Sequence, residues 1–203
     1  MLYVILRTLL YPILSLIWRP YIVGRENLRI KGKAIIASNH TSMLDPIIIA
    51  LVTPRIVHFM AKKEIFKNKI VGAFLRSLCV FPVNRHNADI QSLKKAMRVL
   101  EKGKIFGIFP EGKRSVTDYM DKFEKGTAFI ATKAGAPILP IYIHPHSFKK
   151  GRVRMIVGKP INVSDVVPNT KKSTLIDVVT DEISDAIDGL RVELEGIIEN
   201  NKR

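Results

Sequence analysis

The residues with the greatest chemical potential cluster where apolar runs end. His40 and Asp45 stand five positions apart within Ala34 to Ile49, AIIASNHTSMLDPIII, where an apolar stretch breaks into a polar turn and then resumes. On one continuous helix, five positions rotate the side chains by about 500°, leaving them about 140° apart and unable to meet. Across a strand–loop–helix corner they can meet. Asp45 followed by Pro46 reads as a helix N-cap with proline at the first helical position, which places the corner there on backbone grounds alone. A carboxylate has two oxygens, so one is expected to cap backbone N–H groups while the other holds the imidazole N–H of His40. The remaining ring nitrogen is then a general base for the proton of a substrate hydroxyl.

A second group follows the apolar stretch Lys104 to Ile108. Phe109-Pro110-Glu111-Gly112-Lys113-Arg114-Ser115 puts a glycine and two bases at the end of a candidate strand, which suits an anion. Gly112 lets backbone N–H groups approach an oxyanion, Arg114 offers a planar fork matched to phosphate, and Lys113 adds a point charge. Glu111 is costly beside an anion unless it orients Arg114 or a glycerol hydroxyl. Arg85 supplies a third cation after Phe81-Pro82-Val83.

These groups need a scaffold that brings several strand ends together. Strands are expected at Tyr21 to Gly24, Ala34 to Ser38, Val57 to Ala61, Leu78 to Pro82, Lys104 to Phe109, Ile138 to Ile143 and Val153 to Val157. Helices are expected at Pro46 to Val52, Lys67 to Arg76, Asp89 to Glu101 and Glu124 to Ala134, the last closing on Gly135. Apolar residues at steps of three and four, from Ile176 to Ile197, predict one long amphipathic helix from about Lys172 to Asn200. The alternation argues for an α/β fold, a mixed, largely parallel sheet flanked by helices, with ligands at the strands' carboxyl ends.

The chain has 203 residues and a formal net charge of +15. From Ser173 onward eight acids face three bases, so the preceding 172 residues carry +20. Such a basic body suits nucleic acid, an anionic membrane surface or an anionic substrate. No zinc-finger or RNA-recognition pattern supports nucleic acid. The single cysteine, Cys79, has apolar neighbours, reads as a small buried residue and points to a reducing compartment.

Residues 1–20 read as a separate, membrane-associating helix ahead of one α/β domain at 21–203. MLYVILRTLLYPILSLIW would span about 27 Å as a helix, marginal for crossing a bilayer. Arg7, Tyr11, Ser15 and Arg19 draw one polar stripe down it, which suits a helix lying in the interface with its stripe toward headgroups or the protein. Pro12 is expected to kink it. A buried core helix stays open as the alternative.

Asn39-His40-Thr41-Ser42-Met43-Leu44-Asp45 resembles the HX4D motif of the glycerolipid acyltransferases that include the 1-acylglycerol-3-phosphate acyltransferases. Phe81 to Arg85 resembles that family's second block, Phe109 to Ser115 its FPEGTRS block, and Ala136 to Ile141 its VPIxPV block. Lys125-Gly126 matches a further recurrent feature, and Lys113 departs from the usual threonine. The resemblance covers Asn39 to Ile141. It implies that His40 deprotonates the acceptor hydroxyl of a lysophospholipid, which attacks an acyl-CoA or acyl carrier protein thioester while Asp45 stabilises the imidazolium. No cofactor, metal or acyl-enzyme is implied. Arg85, Glu111, Gly112 and Arg114 would hold the phosphate and glycerol, and Pro137 would help shape the acyl side. The setting implied is peripheral or monotopic on the cytoplasmic face of a membrane.

Two other functions compete. Ser42, His40 and Asp45 could form a hydrolytic triad, but Ser42 lies two positions from His40 and no GxSxG elbow is present. A non-catalytic lipid- or membrane-binding protein would use only the basic face and the apolar N-terminus. His144-Pro145-His146 lacks a third metal ligand, and neither it nor His58 or His86 is assigned a role.

Overall fold

A computed structural model of the chain describes residues 2–84, 90–115, 120–145, 147–148, 152–166, 170–171 and 173–201. Seven strands form one sheet: β1 (Tyr21–Val23), β2 (Ala34–Ser38), β3 (Val57–Lys62), β4 (Val80–Val83), β5 (Ile105–Ile108), β6 (Ile138–Ile143) and β7 (Arg154–Val157), in the order β1-β7-β6-β2-β5-β3-β4. β6, β2, β5, β3 and β4 run parallel; β7 reverses against β6, and β1 follows β7.

The central strands carry no polar face because helices cover them on both sides. Ile35 and Ala37 of β2 pack into one cluster, Ala34 and Ile36 into the other, and all four are buried. The first cluster is closed by α4 (Ile90–Glu101), α5 (Gly126–Ala134) and the long α7 (Leu175–Asn200), which inserts Val179, Ile183, Ile187 and Leu194. The second is closed by α2 (Asp45–Val52) through Ile48, Ile49 and Val52, with Tyr11 and Trp18 of α1 (Leu2–Trp18) against it. A 3₁₀ turn (Lys63–Lys67) and α3 (Lys69–Ser77) join β3 to β4 at the sheet edge, and a short α6 (Val163–Val166) precedes α7.

The expected strands appear within a residue or two of their anticipated ends, and β2 and β6 match exactly as read. The expected start of α4 at Asp89 and of α7 near Lys172 fall on or beside residues outside the described set. Cys79 departs from expectation: it is half-buried and has φ 61°, a left-handed conformation that turns the end of α3 into β4.

The helix α1 continues through Pro12, and no described helix is long and apolar enough to cross a membrane. Arg7 and Tyr11 of its polar stripe face the protein, as does the neighbouring Tyr3, while Arg19 at its end is exposed. Tyr3 donates its hydroxyl to the Ala50 carbonyl, Arg7 donates to the carbonyls of Thr53 and Pro54 beyond α2, and Tyr11 accepts from Arg25. The opposite face, with Ile5, Leu9, Ile13, Leu16 and Ile17, is exposed, so α1 is not a buried core helix.

Candidate active site

Parallel pairing puts the ends of β2 and β5 side by side, Ala37 opposite Ile108, so the loops carrying His40 and Glu111 leave the sheet together. The β2 ladder ends with a side chain imitating a peptide. Asn39 donates Nδ2 to the Ile143 carbonyl at 2.9 Å and accepts from the Ile143 N–H at 2.8 Å. Both hydrogen bonds of a sheet step are thereby made while the backbone turns away, and His40 starts the corner. In the sequence, the signal for this role of Asn39 is an amide directly after a buried strand.

At the corner, His40 Nδ1 lies 3.0 Å from Asp45 Oδ2. The same oxygen accepts the backbone N–H groups of Thr41 at 2.8 Å and Ser42 at 2.7 Å. Three donors converge on one fully buried oxygen, an arrangement suited to a carboxylate and to a proton on Nδ1, leaving Nε2 as the basic nitrogen. The expected division of labour between the two oxygens is thus corrected, because Oδ1 has no hydrogen-bond partner among the described residues. The expected N-cap is also displaced by one residue. Leu44 is the cap and Asp45 the first helical residue, its carboxylate folded back onto the loop rather than forward onto the helix. As an acid in the first turn it still complements the helix dipole.

The second loop clamps the backbone of the first. Glu111 Oε1 accepts the His40 N–H at 2.9 Å, and the Ser115 N–H donates to the His40 carbonyl at 2.8 Å. Glu111 is 3% exposed, and its other oxygen accepts from the Asp121 N–H at 3.4 Å. Among the described residues it makes no bond to Arg114, the expected partner; the carboxylate instead ties two loops together. Burial pushes its pKa up to about 6, against the lowering effect of those two N–H donors. Gly112, with φ 69°, forms the tip of the turn, its N–H bonded to the Phe109 carbonyl at 3.0 Å.

An aromatic column holds the imidazole plane. Phe109 stacks on His40 at 4.1 Å between ring centres, and Phe59 stacks on Phe109 at 6.1 Å. Gly107 makes room for this column, because a Cβ there would lie 2.3 Å from the Phe59 ring. Nothing in the sequence around Phe59 or Gly107 signals a ring packed across two strands. Ser42 is turned to other use: its hydroxyl accepts the Leu44 N–H at 3.2 Å and, among the described residues, makes no hydrogen bond to His40.

A model of the family described as Acyltransferase matches residues 19–144. The chain belongs to the acyltransferase family. A Bacillus subtilis (strain 168) protein named 1-acyl-sn-glycerol-3-phosphate acyltransferase is 34% identical over 189 residues, covering 90% of this chain and 94% of that one. A Streptococcus pneumoniae protein of the same name is 35% identical over 139 residues, 65% of this chain and 51% of that one. The fold matches the crystal structure of the 1-acyl-sn-glycerophosphate (LPA) acyltransferase PlsC from Thermotoga maritima with a TM-score of 0.68 at 24% identity, covering 91% of this chain and 81% of that one.

In this acyltransferase, His40, Asp45, Glu111 and Gly112 meet at one corner, and other expected site residues lie around it or elsewhere. Lys113 and Arg114 are exposed beyond Gly112, with Lys113 Nζ 3.5 Å from Asp121. One chain step, about 3.8 Å between Cα atoms, separates Arg114 from the Ser115–His40 contact. Lys125 pairs with Asp177 of α7 and serves as the cap residue of α5. Pro137 requires correction: it precedes β6, its carbonyl accepting the Ile35 N–H at 2.9 Å, and so lies at the strands' amino ends, away from His40. A wall for the acyl chain beside His40 is not available from there. Arg85 and His146 lie outside the described residues; Asn84 leaves β4 at the same end of the sheet as His40.

Proposed function

We propose that the protein transfers a fatty acyl group from an acyl thioester, acyl-CoA or acyl carrier protein, to the sn-2 hydroxyl of 1-acylglycerol-3-phosphate, yielding phosphatidic acid. The observation that carries this reading is the His40–Asp45 pair, 3.0 Å apart at a buried corner, with Nε2 of the imidazole left for a substrate proton. Relatives named for that reaction support the choice of acceptor.

His40 Nε2 takes the hydroxyl proton as the oxygen attacks the thioester carbonyl. The new ester C–O bond forms, the C–S bond breaks, and the leaving thiolate recovers the proton from the imidazolium. Asp45 stabilises that imidazolium, and the Phe109 stack keeps its plane fixed. A general base of this kind contributes about 10²- to 10⁴-fold, and positioning contributes several kcal/mol more. Direct attack on an activated thioester needs no cofactor beyond the acyl donor itself. Arg114, Lys113 and Arg85 supply the positive charge for the acceptor phosphate.

The exposed apolar face of α1 supports peripheral or monotopic attachment, and the net charge of +15 favours an anionic, cytoplasmic leaflet. The test is an assay in reconstituted membranes, with labelled acyl-CoA and acyl carrier protein donors against a panel of lyso-acceptors. Phosphatidic acid from lysophosphatidic acid is the expected product. Product from another lyso-lipid or from glycerol-3-phosphate would change the acceptor, and no product from any would overturn the reading. Membrane binding with unaltered function in His40→Ala would instead mark a non-catalytic lipid-binding protein.

A further inference from the structure

The 3₁₀ turn Lys63–Lys67 and α3 form a unit that the catalytic corner does not use. Asn68 caps α3, accepting the N–H groups of Ile70 at 3.0 Å and Val71 at 3.2 Å, so the helix is locally fixed. Its inner side packs closely on the turn: a Cβ on Gly72 would come 3.1 Å from the Phe66 carbonyl oxygen. Phe66 is buried below, with the Arg76 guanidinium 5.4 Å above its ring.

The outer side is apolar where it meets solvent. Ile70 is 82% exposed, Phe74 48%, Ile65 44% and Val71 39%. Ile70, Val71 and Phe74 share one side of α3 at helical spacing. Around them, residues 62–77 carry five bases (Lys62, Lys63, Lys67, Lys69 and Arg76) against the single acid Glu64. A cleft of about 470 Å³ beside the helix is lined by Lys63, Lys67 and Arg76 and by the acid Glu64, with Phe66, Pro82 and Asn84. Large apolar side chains gathered in this way mark a surface that meets a partner.

The position of the unit narrows that partner. β3 runs parallel to β5 and leads directly into the turn, so the unit begins at the end of the sheet that carries His40. Four of the five bases are lysines, and the exposed apolar groups are mainly aliphatic. Protein interfaces are depleted in lysine and favour aromatic and arginine anchors. Aliphatic side chains ringed by lysines, whose stems run along apolar surface while the ammonium stays at headgroup level, suit a lipid interface.

We propose that the turn Lys63–Lys67 and α3 form a second membrane contact, separate from α1, that sets the catalytic end of the sheet against an anionic phospholipid leaflet. Ile70, Val71 and Phe74 enter the acyl region and the lysines meet lipid phosphates. The proposal rests on the lipid acyltransferase reading for its purpose but not for its test.

The full-length Ile70→Ser/Phe74→Ser variant is compared with the wild type on phosphatidylglycerol–phosphatidylcholine vesicles. Partitioning should fall by roughly tenfold or more, given the apolar area withdrawn. Apparent KM for vesicle-borne lysophosphatidic acid should rise, while kcat on a monomeric short-chain lysophosphatidic acid stays unchanged. Ile70→Trp in a Trp18→Phe background should be quenched by brominated acyl chains. Wild-type partitioning by the double variant, or emission that brominated lipid leaves untouched, would overturn the proposal. So would unchanged vesicle binding with a raised KM for acyl carrier protein, which would assign the surface to the donor. A wild type that makes no product while the double variant still loses vesicle binding would defeat the enzymatic reading and leave the membrane contact standing.

Discussion

The two loops at the end of the sheet are built on opposite plans. In the His40–Asp45 corner, three donors meet Asp45 Oδ2, both backbone groups of His40 are bonded, and Phe109 covers the ring. At the tip beyond Gly112, Lys113 and Arg114 are exposed, and Lys113 makes a solvent-accessible pair with Asp121. A general base must be held to a fraction of an ångström before substrate arrives. A phosphate-binding arm gains from long side chains that adjust to a charge presented at a lipid surface. The contrast is one of rigidity: the proposed base is fixed by its surroundings, and the proposed anion contacts are left compliant.

Substitutions at the two loops should therefore differ in kind as well as size. His40→Ala removes the proposed proton acceptor and should lower kcat by about 10²- to 10⁴-fold with the fold retained, as read by turnover beside circular dichroism. Retained turnover would break the comparison at its root. Asp45→Asn keeps the shape but replaces the acceptor that holds Nδ1; kcat should fall by about 10²-fold, and thermal unfolding should register about 1–3 kcal/mol lost from the buried network.

Glu111 sharpens the contrast through pH. Its pKa of about 6 exceeds the ordinary 4.5, so the folded state binds this proton more tightly than the unfolded state does. The stability this supplies is fully present below pH 4.5 and is lost as pH rises through 6, a change of roughly 2 kcal/mol. Glu111→Gln should remove that slope from denaturation curves taken across this window; an unchanged slope would place the titration elsewhere.

Effects at the open tip should be smaller. Arg114→Ala should raise KM for the phosphorylated acceptor by about tenfold with kcat little altered, and added salt should narrow the difference. A fall in kcat instead would move Arg114 into the fixed corner. Smallest is Ser42→Ala, which forfeits the bond to the Leu44 N–H and should change turnover by less than about threefold. Complete loss would revive a serine nucleophile.

Local pattern determined much of this molecule. The runs Ala34–Ser38, apolar up to its final serine, and Ile138–Ile143 had to be central strands covered on both faces, and they are. The heptad-like spacing from Ile176 to Ile197 required one long helix with a buried stripe, and α7 has it. That His40 and Asp45 could meet only across a corner followed from helical geometry alone.

Long-range partners were decided by the tertiary structure. Glu111 looked like a substrate ligand because its neighbours are cations, but sheet order brings it to the His40 backbone, 71 residues away. Pro137 falls at the far end of the strands because β6 runs parallel to β2, a pairing that periodicity does not specify. Asp45 turns toward Thr41 and Ser42 instead of capping α2, since their N–H groups and the imidazole offer three donors at one point. Side-chain type and spacing set which elements form and which groups can react. Their partners depend on which strands lie adjacent and in which direction, a property of the whole packed core.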